Sequence, residues 1–330
     1  MKKLLFISLF VSLPALAEQV LTPDACLIQA LSTADDSLTV GDLRQLCSFA
    51  TVGQQAQPFE PKSHVSALKQ RQLYEKQVSW NSFSLLPHKP NYIMLSYNTN
   101  EPNQQVFEQA FPTKNSDLQH LETKFQISMK LPIAQGIFNG QGDLYAAYTN
   151  RSFWQQFNKT NSSPFRDTNH EAESWLAFAT NYDFVGLHNS AIHTGFSHQS
   201  NGQSGSLSRS WNRLYTEFLF EKEDVYLSFK PWFRIPESSH SDDNPDIDHY
   251  MGHFELRGIY KKQTHTFDVM LRNNLKTGSN RGAIELGWSF PIHKKVRGYV
   301  QWFNGYGESL LDYDNHTNSL GFGIQLSDWL

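Results

Sequence analysis

Residues 125–133 read FQISMKLPI. Phe125, Ile127, Met129, Leu131 and Ile133 share one parity, and Gln126, Ser128 and Lys130 share the other. Successive side chains of an extended strand leave opposite faces of the pleat, so this period of two predicts a strand with one apolar and one polar face. The pattern recurs. Ile284, Leu286, Trp288 and Phe290 alternate with Glu285, Gly287 and Ser289; Val225, Leu227 and Phe229 alternate with Tyr226, Ser228 and Lys230; Leu320, Phe322, Ile324 and Leu326 alternate with Ser319, Gly321, Gly323 and Gln325. About twelve such runs begin near residues 91, 123, 141, 170, 190, 207, 224, 249, 264, 281, 296 and 317. Each is about ten residues long, enough to cross a hydrocarbon layer when tilted, and an even count suits a bacterial barrel.

Composition points the same way. After the first residues no apolar run approaches the roughly 20 that a membrane helix requires. Aromatic residues make up 14% of the chain, yet its mean hydropathy is −0.50. A barrel with an apolar outer wall and a polar interior reconciles the two. A soluble β-sandwich also alternates, but with shorter strands. The expected fold is therefore all-β, a twelve-stranded antiparallel transmembrane β-barrel. Large inward groups such as Tyr226, Trp232, Arg234 and Arg257 imply a filled lumen. The polar stretch 236–245, PESSHSDDNP, reads as an extracellular loop; short connections such as Leu187-His188-Asn189 belong on the periplasmic side, and Trp329 and Leu330 close the last strand.

The chain opens MKKLLFISLFVSLPALA, a basic start, an apolar run and a small-residue site, which marks residues 1–17 as a secretory signal. Residues 18–88 read as a short periplasmic extension, because Leu27, Ile28 and Leu31, then Val40, Leu43 and Leu46, recur at near-helical spacing. The barrel domain is then 89–330. Cys26 and Cys47 are the only two cysteines. Export permits a disulfide between them; the alternative is two unlinked thiols, and two cysteines are too few for a metal site. A net charge of −4 with no dense Lys/Arg tract argues against a nucleic-acid partner.

Residues 195–215, GFSHQSNGQSGSLSRSWNRLY, place polar groups where apolar ones are due. His198 and Ser200 share parity with Ile192, Thr194 and Phe196, and Asn212 with Leu214, Thr216, Phe218 and Phe220. All three therefore point toward lipid, on neighbouring strands, near the outer surface. Taken singly, a Ser or Asn beside a loop is usually a turn former and such a His an interfacial side chain. Together they offer a nucleophile in Ser200, a base in His198 and an orienting group in Asn212. No G-x-S-x-G elbow occurs in the chain, which argues against an α/β-hydrolase.

HxSNG at His198 and SRSWNRLY ending at Tyr215 closely resemble the outer membrane phospholipase A family. SSPFR at 162–166, KPW at 230–232, DDNPDI at 242–247 and GYGESLLDY at 305–313 match it further, in order, over about residues 90–330. The resemblance implies a twelve-stranded outer-membrane barrel that hydrolyses acyl esters of phospholipids, requires calcium and acts as a homodimer. It implies His198 as base, Ser200 as nucleophile, Asn212 as orienting residue and the Gly202 N–H as oxyanion donor. Calcium would be held by the Gln203 carbonyl, the Ser208 hydroxyl and Ser162 of the second subunit; Asp243 matches a second acidic calcium ligand of the monomer, at a site weakened here by the lack of a carboxylate at Gly205. The chain departs from the family at Gln203, usually Arg; at Gly205, usually Asp; and at Asn150, where a Gln is expected in the dimer interface. The competing readings are a non-catalytic outer-membrane barrel, whether narrow pore or structural protein, and a soluble periplasmic esterase.

Overall fold

The computed structural model describes residues 66–78, 85–110, 117–294 and 296–329. The signal segment, most of the extension and the Cys26–Cys47 pair lie outside these residues.

The quoted stretch shows which way the alternation faces. It belongs to β3 (Leu121–Gly136), in which Gln126 and Ser128 are buried whereas Ile127 and Ile133 are more than half exposed. The polar parity thus lines the interior and the apolar parity forms the outer wall, the arrangement of a membrane barrel. Eleven further strands continue it: β2 (Asn91–Asn98), β4 (Gly142–Trp154), β5 (Phe165–Phe184), β6 (Leu187–Ser200), β7 (Ser210–Lys222), β8 (Val225–Ile235), β9 (Phe254–Lys262), β10 (His265–Asn273), β11 (Gly282–His293), β12 (Val296–Tyr306) and β13 (His316–Ser327). Each pairs antiparallel with its sequence neighbours, and β13 pairs with β2 to close the ring. Closure leaves the ring without a free edge, so the strands pair their backbones with neighbours on both sides, as a lipid surround requires. No helix of the described residues is long and apolar enough to cross a membrane.

Several boundaries differ from the sequence reading. The run placed near 249 holds a short helix, labelled α4 (Ile247–Met251), and the strand starts only at Phe254. Leu187, His188 and Asn189 lie inside β6; the turn before it is Val185-Gly186, both with positive φ, the backbone of a tight hairpin. Residues 65–330 cluster as one compact unit, so two elements counted with the extension pack with the strands. One is β1 (Leu86–Pro87), which pairs with β3. The other is the helix α1 (Ala67–Val78). Two short segments remain, the helix α2 (Gln105–Ala110) and α3 (Ile137–Gly140), the latter a turn between β3 and β4 with left-handed Phe138 and Asn139 rather than a regular helix.

The lumen is occupied. Helix α1 lies over one end of it: the Ala67 N–H donates to Tyr226 Oη at 2.9 Å, the Arg71 guanidinium donates to the Pro87 carbonyl at 2.7 Å, and Lys130 meets Glu75 at 2.8 Å. Further in, Glu171 and Glu173 are ringed by Lys89, Arg213 and Lys230 at 2.6 to 3.0 Å. Toward the outer end Trp175, Trp211, Tyr215 and Trp232 pack with Ile247, Met251, Leu310 and Tyr313. A cavity of about 430 Å³ remains between these groups. Burial of so many charges is sustainable because each has a partner.

Candidate active site

The β6–β7 pairing sets His198 directly opposite Asn212 and Ser200 opposite Ser210. His198 and Phe196 are exposed on the outer wall, whereas Ser197 between them is fully buried in the lumen. On β7 the neighbours of Asn212, Trp211 and Arg213, are buried inside in the same way. The inward side chains anchor the two strands, with Trp211 donating to Gln199 at 2.8 Å and Arg213 to Glu171 at 2.7 Å. Their outward neighbours are therefore held at defined positions on the lipid face.

His198 Nδ1 lies 2.8 Å from Asn212 Oδ1. An amide oxygen only accepts, so this contact requires the proton on Nδ1 and leaves Nε2 with its lone pair, the tautomer a general base needs. Ser200 is two residues along the same face of β6, an axial step of roughly 6.5 to 7 Å. Across the β5–β6 register His170 stands opposite Ser200. Its Nδ1 is 2.5 Å from Tyr148 Oη and 3.4 Å from the Asn150 amide nitrogen.

Between the two strands the loop 201–209 is built around Asn201, which is buried. The Asn201 side chain donates to the Leu207 carbonyl and accepts from the N–H groups of Gln203 and Arg209. Gly202 has φ +65°, a left-handed backbone that favours glycine, while a Cβ there would make only ordinary contact, 3.7 Å, with the His170 ring. Neither the Gly202 N–H nor the Gln203 carbonyl takes part in the loop's hydrogen bonds. Ser208 Oγ donates to Asp243 Oδ2 at 2.5 Å, which joins this loop to the loop after β8. Ser162 is apart from them, exposed in the loop between β4 and β5 at φ +61°. Among the described residues no three His, Cys, Asp or Glu side chains converge as a metal cluster. A cation here would instead take oxygen from a hydroxyl, a carboxylate and loop carbonyls, a donor set that suits a hard ion such as calcium.

Gly205 also has positive φ, +64°, and a Cβ there would meet nothing within 4 Å. The sequence reading missed one neighbour of the site. The Asn212 amide donates to Glu237 Oε1 at 3.1 Å. Asn212 pairs with Ile235, the last residue of β8, and Glu237 stands two residues further on, in the loop that follows.

A closed twelve-stranded barrel with a His–Asn pair beside a serine on its lipid-facing wall defines a class, the outer-membrane barrel hydrolases. The family model described as phospholipase A1 matches residues 68–326, and the chain belongs to that family. It is 39% identical to the phospholipase A1 of Salmonella typhimurium over 248 residues, 75% of this chain and 83% of that protein. The crystal structure of the Salmonella typhi outer membrane phospholipase, a dimer with bound calcium, superposes with a TM-score of 0.70 at 38% identity, covering 76% of this chain and 94% of that one. An Escherichia coli outer membrane phospholipase A, crystallised as an active-site mutant with an asparagine replaced by alanine, gives a TM-score of 0.69 at 36% identity over the same shares.

Proposed function

We propose that the chain hydrolyses acyl ester bonds of phospholipids in the outer leaflet, with Ser200 as nucleophile, His198 as base and Asn212 as orienting residue. The 2.8 Å contact of His198 Nδ1 with Asn212 Oδ1 on the lipid face carries the reading. Ser200 Oγ attacks the acyl carbon while His198 Nε2 takes its proton, and the resulting oxyanion receives the Gly202 N–H. Collapse breaks the ester C–O bond, and His198 returns the proton to the departing alcohol. Water then repeats the sequence on the acyl-serine and releases a fatty acid. A serine on the outer wall needs no entry channel, because the lipid lies against it.

Calcium fits the loop chemistry. The Ser208 hydroxyl, the Gln203 carbonyl and Ser162 from a second copy of the chain would hold it, with Asp243 as a further ligand beside Ser208. Bound there, calcium would polarise the ester carbonyl and offset the charge that builds on it. A site completed by a second copy makes activity depend on dimerisation, with Asn150 at the interface. The calcium-bound dimer of the Salmonella typhi protein supports this assembly.

Purified protein in mixed micelles should release fatty acid with calcium, lose that activity in chelator, and lose it with Ser200→Ala while remaining a folded, heat-modifiable barrel. Full activity of Ser200→Ala would overturn the assignment.

A further inference from the structure

Glu237 has no place in the triad, and among the described residues no basic side chain pairs with it. Arg234, three residues before it, is turned the other way, clamping both oxygens of Asp242 at 2.7 and 2.8 Å. The Glu237 carboxylate instead accepts from the Asn212 amide. It reaches that amide from the loop after β8, two residues beyond Ile235, the register partner of Asn212. His198, Asn212 and Glu237 thus form a line, 2.8 Å and then 3.1 Å between linked atoms.

We infer that Glu237 is a positioning residue for catalysis, acting on His198 through Asn212. The inference rests on the triad assignment above. Two physical effects follow from the line. An amide side chain has two nearly isosteric ends, and only one suits the base. Flipped, Asn212 would turn an N–H donor toward His198 Nδ1 and favour the wrong tautomer. A carboxylate accepts only, so Glu237 holds the amide nitrogen on its own side and the oxygen on the histidine's side. The second effect is charge. Asparagine is neutral and stabilises an imidazolium less than an aspartate does; Glu237 supplies a negative charge one residue removed, polarising the amide along the line.

The other groups facing His198 do not supply that charge. From β5 its register partner is Ala172, and the next outward residue is His170, which bonds Tyr148 and Asn150 of β4. The acidic Asp243 is bonded to Ser208.

The test uses the full-length protein at saturating calcium, with kcat and KM followed against pH. Glu237→Ala should lower kcat about tenfold at unchanged KM, the pattern of a lost transition-state interaction. Removing the charge makes the imidazolium harder to form, so the acidic limb of the rate profile should move to lower pH. Glu237→Gln keeps an acceptor without the charge, so its kcat should fall less while its limb moves equally. A rescue separates this role from a structural one. Asn212→Asp would set a carboxylate against Glu237, and adding Glu237→Gln should raise its activity. Wild-type kcat and limb in Glu237→Ala, with no gain in the double variant, would overturn the inference. With Ser200→Ala inactive in the same assay, only the role of Glu237 would fall; with Ser200→Ala active, the triad assignment itself would fall.

Discussion

On a wall that faces lipid, a polar side chain has few partners and little water to fall back on. Hydrogen bonds therefore tie His198 to Asn212 and Asn212 to Glu237, and in the adjoining loops Ser208 to Asp243. Gly205 is the residue where this chain differs most from what the family resemblance implies. Its backbone is left-handed and the space around it is open. Gly205→Asp would add a carboxylate to the loop at a backbone cost of roughly 1 kcal/mol, since Asp tolerates this conformation better than most residues. The expected result is a several-fold lower half-saturating calcium concentration, read by titrating hydrolysis against free calcium; an unchanged midpoint would count against a cation bound to this loop. The polar trio at 198, 200 and 212 was legible from parity alone. Glu237 was not, because it follows β8 in a loop of Pro, Ser and Asp where sequence marks no strand face.

At the scale of elements, the strands were legible because alternation is local, and their ends were less so. A helix of five residues such as α4 carries too few turns to break the pattern visibly, and the Val185-Gly186 turn is too short to announce itself. Helix α1 falls within residues 18–88, in Gln-rich text that does not mark what it packs on. The structure ties it to the barrel through Glu75. Burial would raise that carboxyl, but Lys130 and Arg71 outweigh burial and hold it below its ordinary value of 4.5. A carboxylate with a depressed folded value contributes stability that is present above the unfolded value and lost as pH falls through the folded one. Amide protection of residues 67–78 should therefore decline as the pH is lowered below 4.5, ahead of the barrel strands. Glu75→Gln should weaken that protection at neutral pH and remove this pH dependence.

At the scale of the whole molecule, the interior decides between enzyme and pore. Lys124 is fully buried between Gln301 and Glu308, at 2.6 and 2.8 Å, and Glu308 also accepts from Ser319 at 2.7 Å. Burial alone would raise the Glu308 carboxyl; Lys124, with the hydrogen bonds it and Ser319 donate, holds it below the usual range. Lys124→Met leaves that carboxylate buried without its cation, and breaking such a pair costs about 3–5 kcal/mol. Denaturant unfolding in detergent should show the loss, and a change below about 1 kcal/mol would mean that Ser319 and water suffice for Glu308. A lumen crossed by such networks, and covered by α1, suits a scaffold better than a conduit.

By itself the sequence determined that the chain crosses a membrane as strands, which parity faces lipid, and that His198, Ser200 and Asn212 share that face. These follow from neighbours along the chain. Only the tertiary structure decided that His198 stands opposite Asn212, that Glu237 reaches the same amide, and that the lumen's charges pair into networks. Register and lumen contacts join residues far apart in sequence, and one residue of slip would turn every side chain to the other face. Closure of the ring between β13 and β2 selects one register for all twelve strands at once, and no single stretch of sequence carries that choice.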